Sequence, residues 1–256
     1  MTAGRVIAVA SGKGGVGKST VAVNLGVALV ESGLRVGLVD ADVYGPNVPL
    51  MLGLTRRQPG GSISLARAGG LRRTPIERFG MKVMSAQFLI AEDQAVAFDA
   101  TLVRMLVDGL MVDTDWGELD LIVVDLPPGT ADLQQGLSRS FALTGAVIVV
   151  TPQDLAHLDG RKAIAMFLQS GVPIIGGVEN MSAIACPHCA ELIDVFPRVP
   201  HERSIWAGGL EKLASIPLHP GVSSAAENGV PLLIAEPKSD AAAVFRQLAG
   251  RVANAP

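Results

Sequence analysis

The opening stretch "RVIAVASGKGGVGKSTVAVNLGVALVE" joins an apolar, β-branched run to a glycine-rich loop and then to a run of helix formers. A strand buried on both faces reads as a continuous apolar run, and a helix that follows through a short loop begins a crossover to a parallel neighbour. The alternation repeats along the chain. "RVGLVDAD", "MKVMSA", "LDLIVVD", "GAVIVVT" and "VPIIGGVEN" read as further strands, and 18–31, 99–112, 131–141, 155–170 and 240–253 as helices, with Ser239 the N-cap of the last. This pattern predicts an α/β fold: a doubly wound, mainly parallel sheet with helices on both faces. The Gly- and Arg-rich stretch 55–73 has no periodicity and reads as a mobile surface loop, and a second irregular segment runs from 182 to about 206. With no repeat and no linker, 1–256 is expected to be a single domain carrying that second segment as an insertion.

A length of 256 residues with 49% hydrophobic content suits one large domain with a real core. The apolar runs, such as "AVIVV", are far shorter than the ~20 residues that span a bilayer. Lys and Arg number 21 against 24 Asp and Glu, so a net charge of -3 gives no general attraction to nucleic-acid phosphates. The first strand follows "MTAGR" directly, without a basic segment, a long apolar stretch and a cleavage site. A cytoplasmic protein without membrane or nucleic-acid partner is therefore expected.

Gly12, Lys13, Gly14, Gly15, Val16, Gly17, Lys18 and Ser19 meet the pattern G-x-x-x-x-G-K-[ST] between a strand and a helix, with Thr20 following. Glycines let the backbone turn its N–H groups inward, and the helix N-terminus adds a favourable field for phosphate. ATP is the expected ligand, with Lys18 on the β- and γ-phosphates and Ser19 on Mg²⁺. Lys13 has no task in an ordinary loop of this kind. Asp40 and Asp42 stand at the C-terminal end of the second strand, where open α/β sheets place ligands. Asp125 ends the strand "LDLIVVD", where its carboxylate would hold a magnesium-bound water.

The only two cysteines, Cys186 and Cys189, form "CPHC". Their spacing excludes a long-range disulfide framework and suits metal or redox use. Two thiolates are half of the four ligands that structural zinc and [4Fe–4S] clusters usually take. A two-fold homodimer would complete the set, because symmetry duplicates a half-site without further sequence.

"KGGVGKST" resembles the deviant Walker A box of the MinD, ParA and nitrogenase-iron-protein class of ATPases. That resemblance implies a nucleotide-sandwich dimer in which Lys13 reaches the partner's phosphates. It also assigns Asp42 to positioning the attacking water, Asp40 to the surroundings of Mg²⁺, and Asn180 in "GVEN" to the adenine. Together "SGKGGVGKST", "VDADVYGPNVP", "DWGELDLIVVDLPPGTAD" and "ENMSAIACPHC" resemble the Mrp/ApbC family of P-loop iron–sulfur carrier ATPases over nearly the whole chain. The family implies a homodimer that binds a labile [4Fe–4S] cluster through the bridging cysteines and passes it to apo-protein clients, with ATP modulating the dimer.

The chain departs from that pattern at "VAFDATLVRML", at Ala190, at "FPRVPHERSIWAGG" and at His219 in "IPLHP". Rival readings are a zinc-bridged dimer, in which His188 or His201 could join the thiolates, and a MinD- or ParA-like positioning ATPase. The latter would bind a membrane through 240–253, or DNA through Arg56, Arg57, Arg67, Arg72 and Arg73. The apolar stripe Val244, Phe245, Leu248 and Val252 is better suited to lying against the sheet, and a solvated loop accounts for the arginines.

Overall fold

The computed structural model describes residues 2–43, 45–54, 63–64, 72–88, 100–127, 134, 136–138 and 141–255. The predicted helix 131–141 falls largely outside these residues, as do Asp99 and most of the predicted loop 55–73. Within that loop, β3 (Ile63–Ser64) and β4 (Arg72–Arg73) are described and pair antiparallel.

Six of the predicted strands are present, and each is a run that alternation-free apolar patterning marked for burial on both faces. They are β1 (Thr2–Ala10), β2 (Val36–Asp40), β6 (Met81–Ser85), β7 (Glu118–Asp125), β8 (Gly145–Val150) and β9 (Ile174–Asn180). The sheet has two further members that the sequence pattern does not mark. β5 (Ile76–Arg78) is the antiparallel partner of β6, and β12 (Lys212–Ile216) is the parallel partner of β9. Both are edge strands, paired on one side and interrupted by polar or exposed residues, so neither shows a continuous apolar run. The order is β12-β9-β8-β1-β7-β2-β6-β5, parallel apart from β5.

α1 (Lys18–Glu31) carries the chain from β1 to β2, and α4 (Asp154–Gln169) carries it from β8 to β9. These moves run in opposite directions across the sheet. Because crossovers between parallel strands are right-handed, they set α1 and α4 on opposite faces. α2 (Val48–Met51) and α3 (Ala100–Val112) lie between β2 and β7, while α5 (Pro220–Glu227) and α6 (Leu232–Ala235) lead to α7 (Asp240–Ala253).

α7 begins as the sequence predicts: the Ser239 hydroxyl oxygen accepts the Ala242 N–H at 3.2 Å. It buries Ala241, Ala242, Phe245, Leu248, Ala249 and Val252, and it contacts α1 and β12. Phe245, Leu248 and Val252 of the C-terminal apolar stripe are thus in the core, and Val244 packs partly buried against it. Among the described residues, no helix is long and apolar enough to cross a membrane. Among the described residues, Trp116, Phe141, Phe167 and Phe245 are the bulkiest fully buried side chains.

Candidate functional site

β1 ends at Ala10 and the chain turns through residues 11–17 into α1. Two glycines make the turn possible. Gly17 sits at the helix N-cap with φ of 83°, a left-handed conformation, and a β-carbon there would lie 2.1 Å from Asn180 Nδ2. Gly12 passes α4 so closely that a β-carbon would lie 2.1 Å from the Asp159 carbonyl oxygen. The Ser11 hydroxyl donates to the Lys13 carbonyl at 2.8 Å and closes the first half of the turn. The result is a cavity of about 410 Å³ whose wall includes Lys13, Gly14, Gly15, Lys18, Ser19 and Thr20, together with Asp42. The first N–H groups of α1 have no partner within the helix, so an anion in this cavity meets both unpaired donors and the helix field.

The carboxylates come from adjacent strands. Asp40 and Asp125 face each other in register across β2 and β7, and both are wholly buried. Lys18 Nζ lies 2.5 Å from Asp125 Oδ1, and that lysine is itself only 6% exposed. Asp125 Oδ2 is buried without a hydrogen-bond partner among the described residues, and the Ser19 side chain neighbours the same carboxylate. Asp40 has both oxygens engaged: Oδ2 accepts the Ser85 hydroxyl at 2.9 Å and Oδ1 accepts the Asp42 N–H at 3.1 Å.

Burial raises the Asp40 carboxyl well above its ordinary range, and the charge of Asp125 raises it further. Burial also raises Asp125, against the opposing pull of Lys18. Asp42 Oδ1 accepts the Gly45 N–H at 3.1 Å, so this aspartate shapes the following loop as well as facing the cavity.

Asn180, at the end of β9, donates from Nδ2 to the Val16 carbonyl at 2.8 Å and thereby holds the phosphate-loop backbone. It also lines a second cavity of about 350 Å³, with Thr20, Met181, Pro217, Leu218 and His219. His219 Nδ1 accepts the Gly221 N–H at 3.1 Å and caps α5, a task an acidic side chain could equally perform.

The segment predicted as irregular contains a small hairpin, β10 (Ile184–Ala185) with β11 (Leu192–Ile193), and the two cysteines form its tip. The Cys186 N–H donates to the Glu191 carbonyl at 2.8 Å, and the Ala190 N–H returns to the Cys186 carbonyl at 2.9 Å. Ala190 takes a left-handed φ of 62° to make the return. Donation from the His188 N–H, then from the Cys189 N–H and thiol, lowers the Cys186 thiol below its ordinary value, which favours the thiolate. Cys189 is exposed and Cys186 half-buried. Among the described residues no group of three or more His, Cys, Asp or Glu is placed to hold a metal, so neither His188 nor His201 completes a set with the thiols.

Of the arginines considered for DNA, Arg73 bonds the Gly109 carbonyl at 3.0 Å and faces Asp113 at 3.5 Å. Arg56, Arg57 and Arg67 lie outside the described residues, as do Pro128, Gly129 and Thr130. Sequence reasoning missed Ser85 and Gln134, whose Nε2 donates to the Pro127 carbonyl at 2.9 Å and to the Ser11 carbonyl at 3.4 Å. It also missed the ion pairs of Glu179 with Lys212 at 3.2 Å and Arg198 at 3.6 Å. No spacing rule marks these residues, because each acts by meeting a distant segment.

A family model described as the NUBPL iron-transfer P-loop NTPase matches residues 2–253. The chain is 41% identical over 248 residues to the Arabidopsis thaliana iron–sulfur protein required for NADH dehydrogenase, mitochondrial, covering 96% of this chain and 77% of that one. It is 40% identical over 257 residues to the iron–sulfur cluster carrier protein of Escherichia coli K12, covering 97% of this chain but only 66% of the longer relative. Among solved structures, the ADP complex of a nucleotide-binding protein from Archaeoglobus fulgidus superposes with a TM-score of 0.77 at 34% identity, over 94% of this chain and 92% of that one. The septum site-determining protein MinD of Pyrococcus horikoshii, with Mg-ADP, superposes at 0.70 with 25% identity, over 98% and 96% of the two chains. The predicted doubly wound sheet and the resemblance drawn from the four motifs agree with these likenesses, and the chain belongs to the iron-transfer P-loop NTPase family.

Proposed function

We propose that two copies of this chain bind and hydrolyse ATP at their phosphate loops and carry a labile [4Fe–4S] cluster between them, for delivery to apo-proteins. The observation that carries this reading is the hairpin tip, which presents two sulfur donors with no third ligand among the described residues, on a chain that also forms a nucleotide cradle. Two such tips supply the four thiolates that a cubane cluster takes.

The loop fits ATP with magnesium. Gly12 and Gly17 let the loop backbone pass tightly against Asp159 and Asn180 as it turns into the cradle, and Asp125 Oδ2 is a buried acceptor in want of a donor such as a metal-bound water. Ser19 and Asp125 would hold Mg²⁺, which when bound offsets phosphate charge. Lys18 exchanges Asp125 for the β- and γ-phosphates, Lys13 serves the partner subunit's phosphates, and Asp42 orients the attacking water. Asp40, with both oxygens already engaged, stands opposite Asp125 on the neighbouring strand and belongs to the surroundings of the Mg²⁺. Adenine enters the second cavity beside Asn180, while the Asn180 amide keeps its bond to the loop.

Anaerobic reconstitution with iron and sulfide tests the proposal. The wild type should turn brown and hold about four iron atoms per dimer, and Cys186→Ala should hold none. A colourless protein with stoichiometric zinc, or a monomer with metal and nucleotide supplied, would refute it.

A further inference from the structure

The cysteine hairpin has little to lean on. Ala185, Pro187 to Ile193 and Val195 are exposed, and Ile184 and Cys186 are only half-buried, so apolar burial does little to set its orientation. What remains is its polar root. The Leu218 N–H donates to the Ala183 carbonyl at 2.8 Å on the entering side. Arg198 ties the leaving side: Nε and Nη2 grip Asp194 at 2.9 and 2.6 Å, directly after β11. The same guanidinium donates from Nη2 to the Ser182 carbonyl at 3.3 Å, just before β10. Its third direction is inward, where Nη1 lies 3.6 Å from Oε2 of Glu179, a carboxylate only 6% exposed.

Glu179 is the neighbour of Asn180. Successive residues of a strand point to opposite faces, so the end of β9 reaches the hairpin root with one side chain and the phosphate loop with the next. Asn180 Nδ2 holds the Val16 carbonyl at 2.8 Å and stands where a β-carbon of Gly17 would be. A ligand that shifts the loop backbone must move this amide or strain its bond. The strand end then displaces Glu179 and the arginine clamped to it.

We infer that Arg198 is a positioning residue that, through Glu179 and Asn180, couples occupancy of the phosphate loop to the orientation of the Cys186–Cys189 hairpin. It lies in the stretch "FPRVPHERSIWAGG", where this chain departs from the Mrp/ApbC pattern. The coupling rests on the carrier reading for its purpose, since hairpin orientation decides whether two thiol pairs can meet; it does not rest on that reading for its measurement. Loss of the arginine leaves Glu179 paired with Lys212 at 3.2 Å, so substitution does not strand a buried charge.

Hydrogen exchange on the full chain, with and without Mg-ADP, reads the coupling through the bonded amides of Cys186 and Ala190. In the wild type, nucleotide should change exchange in the hairpin by about fivefold, the low end of typical coupling between sites. Arg198→Gln and Asp194→Asn should abolish that change while ADP affinity stays within about the same fivefold factor of wild type, as reciprocity of the coupling requires, and Arg198→Lys should restore part of the change. The inference falls if nucleotide leaves wild-type hairpin exchange unchanged, or if Arg198→Gln and Asp194→Asn respond as the wild type does. It falls equally if Arg198→Gln loses ADP affinity beyond that factor, which would make the arginine a part of the fold rather than a link. Should Arg198→Gln fail to fold, Asp194→Asn alone decides between the two outcomes, because it cuts only the exposed half of the clamp. A wild type that binds no iron on reconstitution would end the carrier reading and leave the exchange result standing.

Discussion

The phosphate loop and β9 meet at one point, and a double-mutant cycle measures what that meeting is worth. In Gly17→Ala the new side chain takes a φ of 83°, which costs about 1–2 kcal/mol for a residue with a β-carbon. The same methyl group would lie 2.1 Å from Asn180 Nδ2, the atom that donates to the Val16 carbonyl. The amide must withdraw, leaving a buried carbonyl unpaired at a further cost of about 1–3 kcal/mol. Asn180→Ala loses that hydrogen bond by itself, without the strain. The double variant loses it once and bears the strain once, so its destabilisation should fall short of the sum of the single variants by about 1–3 kcal/mol. Urea unfolding of the nucleotide-free protein measures all four corners of the cycle, provided the denaturant slope stays constant. Additivity within about 0.5 kcal/mol would refute the argument, because the two side chains would then not share a contact.

Lys18→Met should remove nucleotide binding and destabilise the protein by about 3–5 kcal/mol, since it leaves the Asp125 carboxylate buried without its cation. Calorimetric titration with ADP and a urea melt check the two parts, and a melt unchanged from wild type would count against the pairing. The Asp40 carboxyl is held well above its ordinary value of 3.8, chiefly by burial. A carboxyl raised in the folded state costs no stability below its unfolded value, and the cost appears as pH rises toward and through the folded one. Asp40→Asn should therefore gain on the wild type as pH rises above about 4, and a difference that is constant up to pH 8 would contradict the assignment. Alkylation of Cys186 should show a midpoint below the ordinary thiol value of 9.0 in the folded protein and should return toward it in urea, because the N–H groups of His188 and Cys189 that favour the thiolate are lost on unfolding. Equal midpoints in the two states would remove the explanation.

The buried strands were legible because the inner stretches 6–10 of β1, 121–124 of β7 and 145–150 of β8 are buried at every position, and a stretch without an exposed position reads as a continuous apolar run. α1 and α7 were legible for a different reason. Their starts carry local signals, a glycine loop before Lys18 and a capping serine before Asp240, that do not depend on the rest of the chain. The edge strands β5 and β12 were not legible, since a strand with one neighbour tolerates Glu77, Arg78, Lys212 and Ser215 among its residues. The cysteine hairpin escaped for a related reason: β10 and β11 are too short to show any period, and only their mutual hydrogen bonds define them.

At the site the division follows the same physics. The spacing from Gly12 to Ser19 specifies by local backbone geometry the glycine turn that opens the cavity ahead of α1, and "CPHC" sets two thiols three positions apart, so both features could be read from the sequence. Tertiary structure alone set Lys18 against Asp125 from 107 positions away, closed Asp40 between Ser85 and the Asp42 N–H, and brought Asn180 to the carbonyl of Val16. Sequence patterns record what a residue demands of its near neighbours. Which distant carbonyl or carboxylate meets it is settled by the strand order, and that order follows from how the whole core closes.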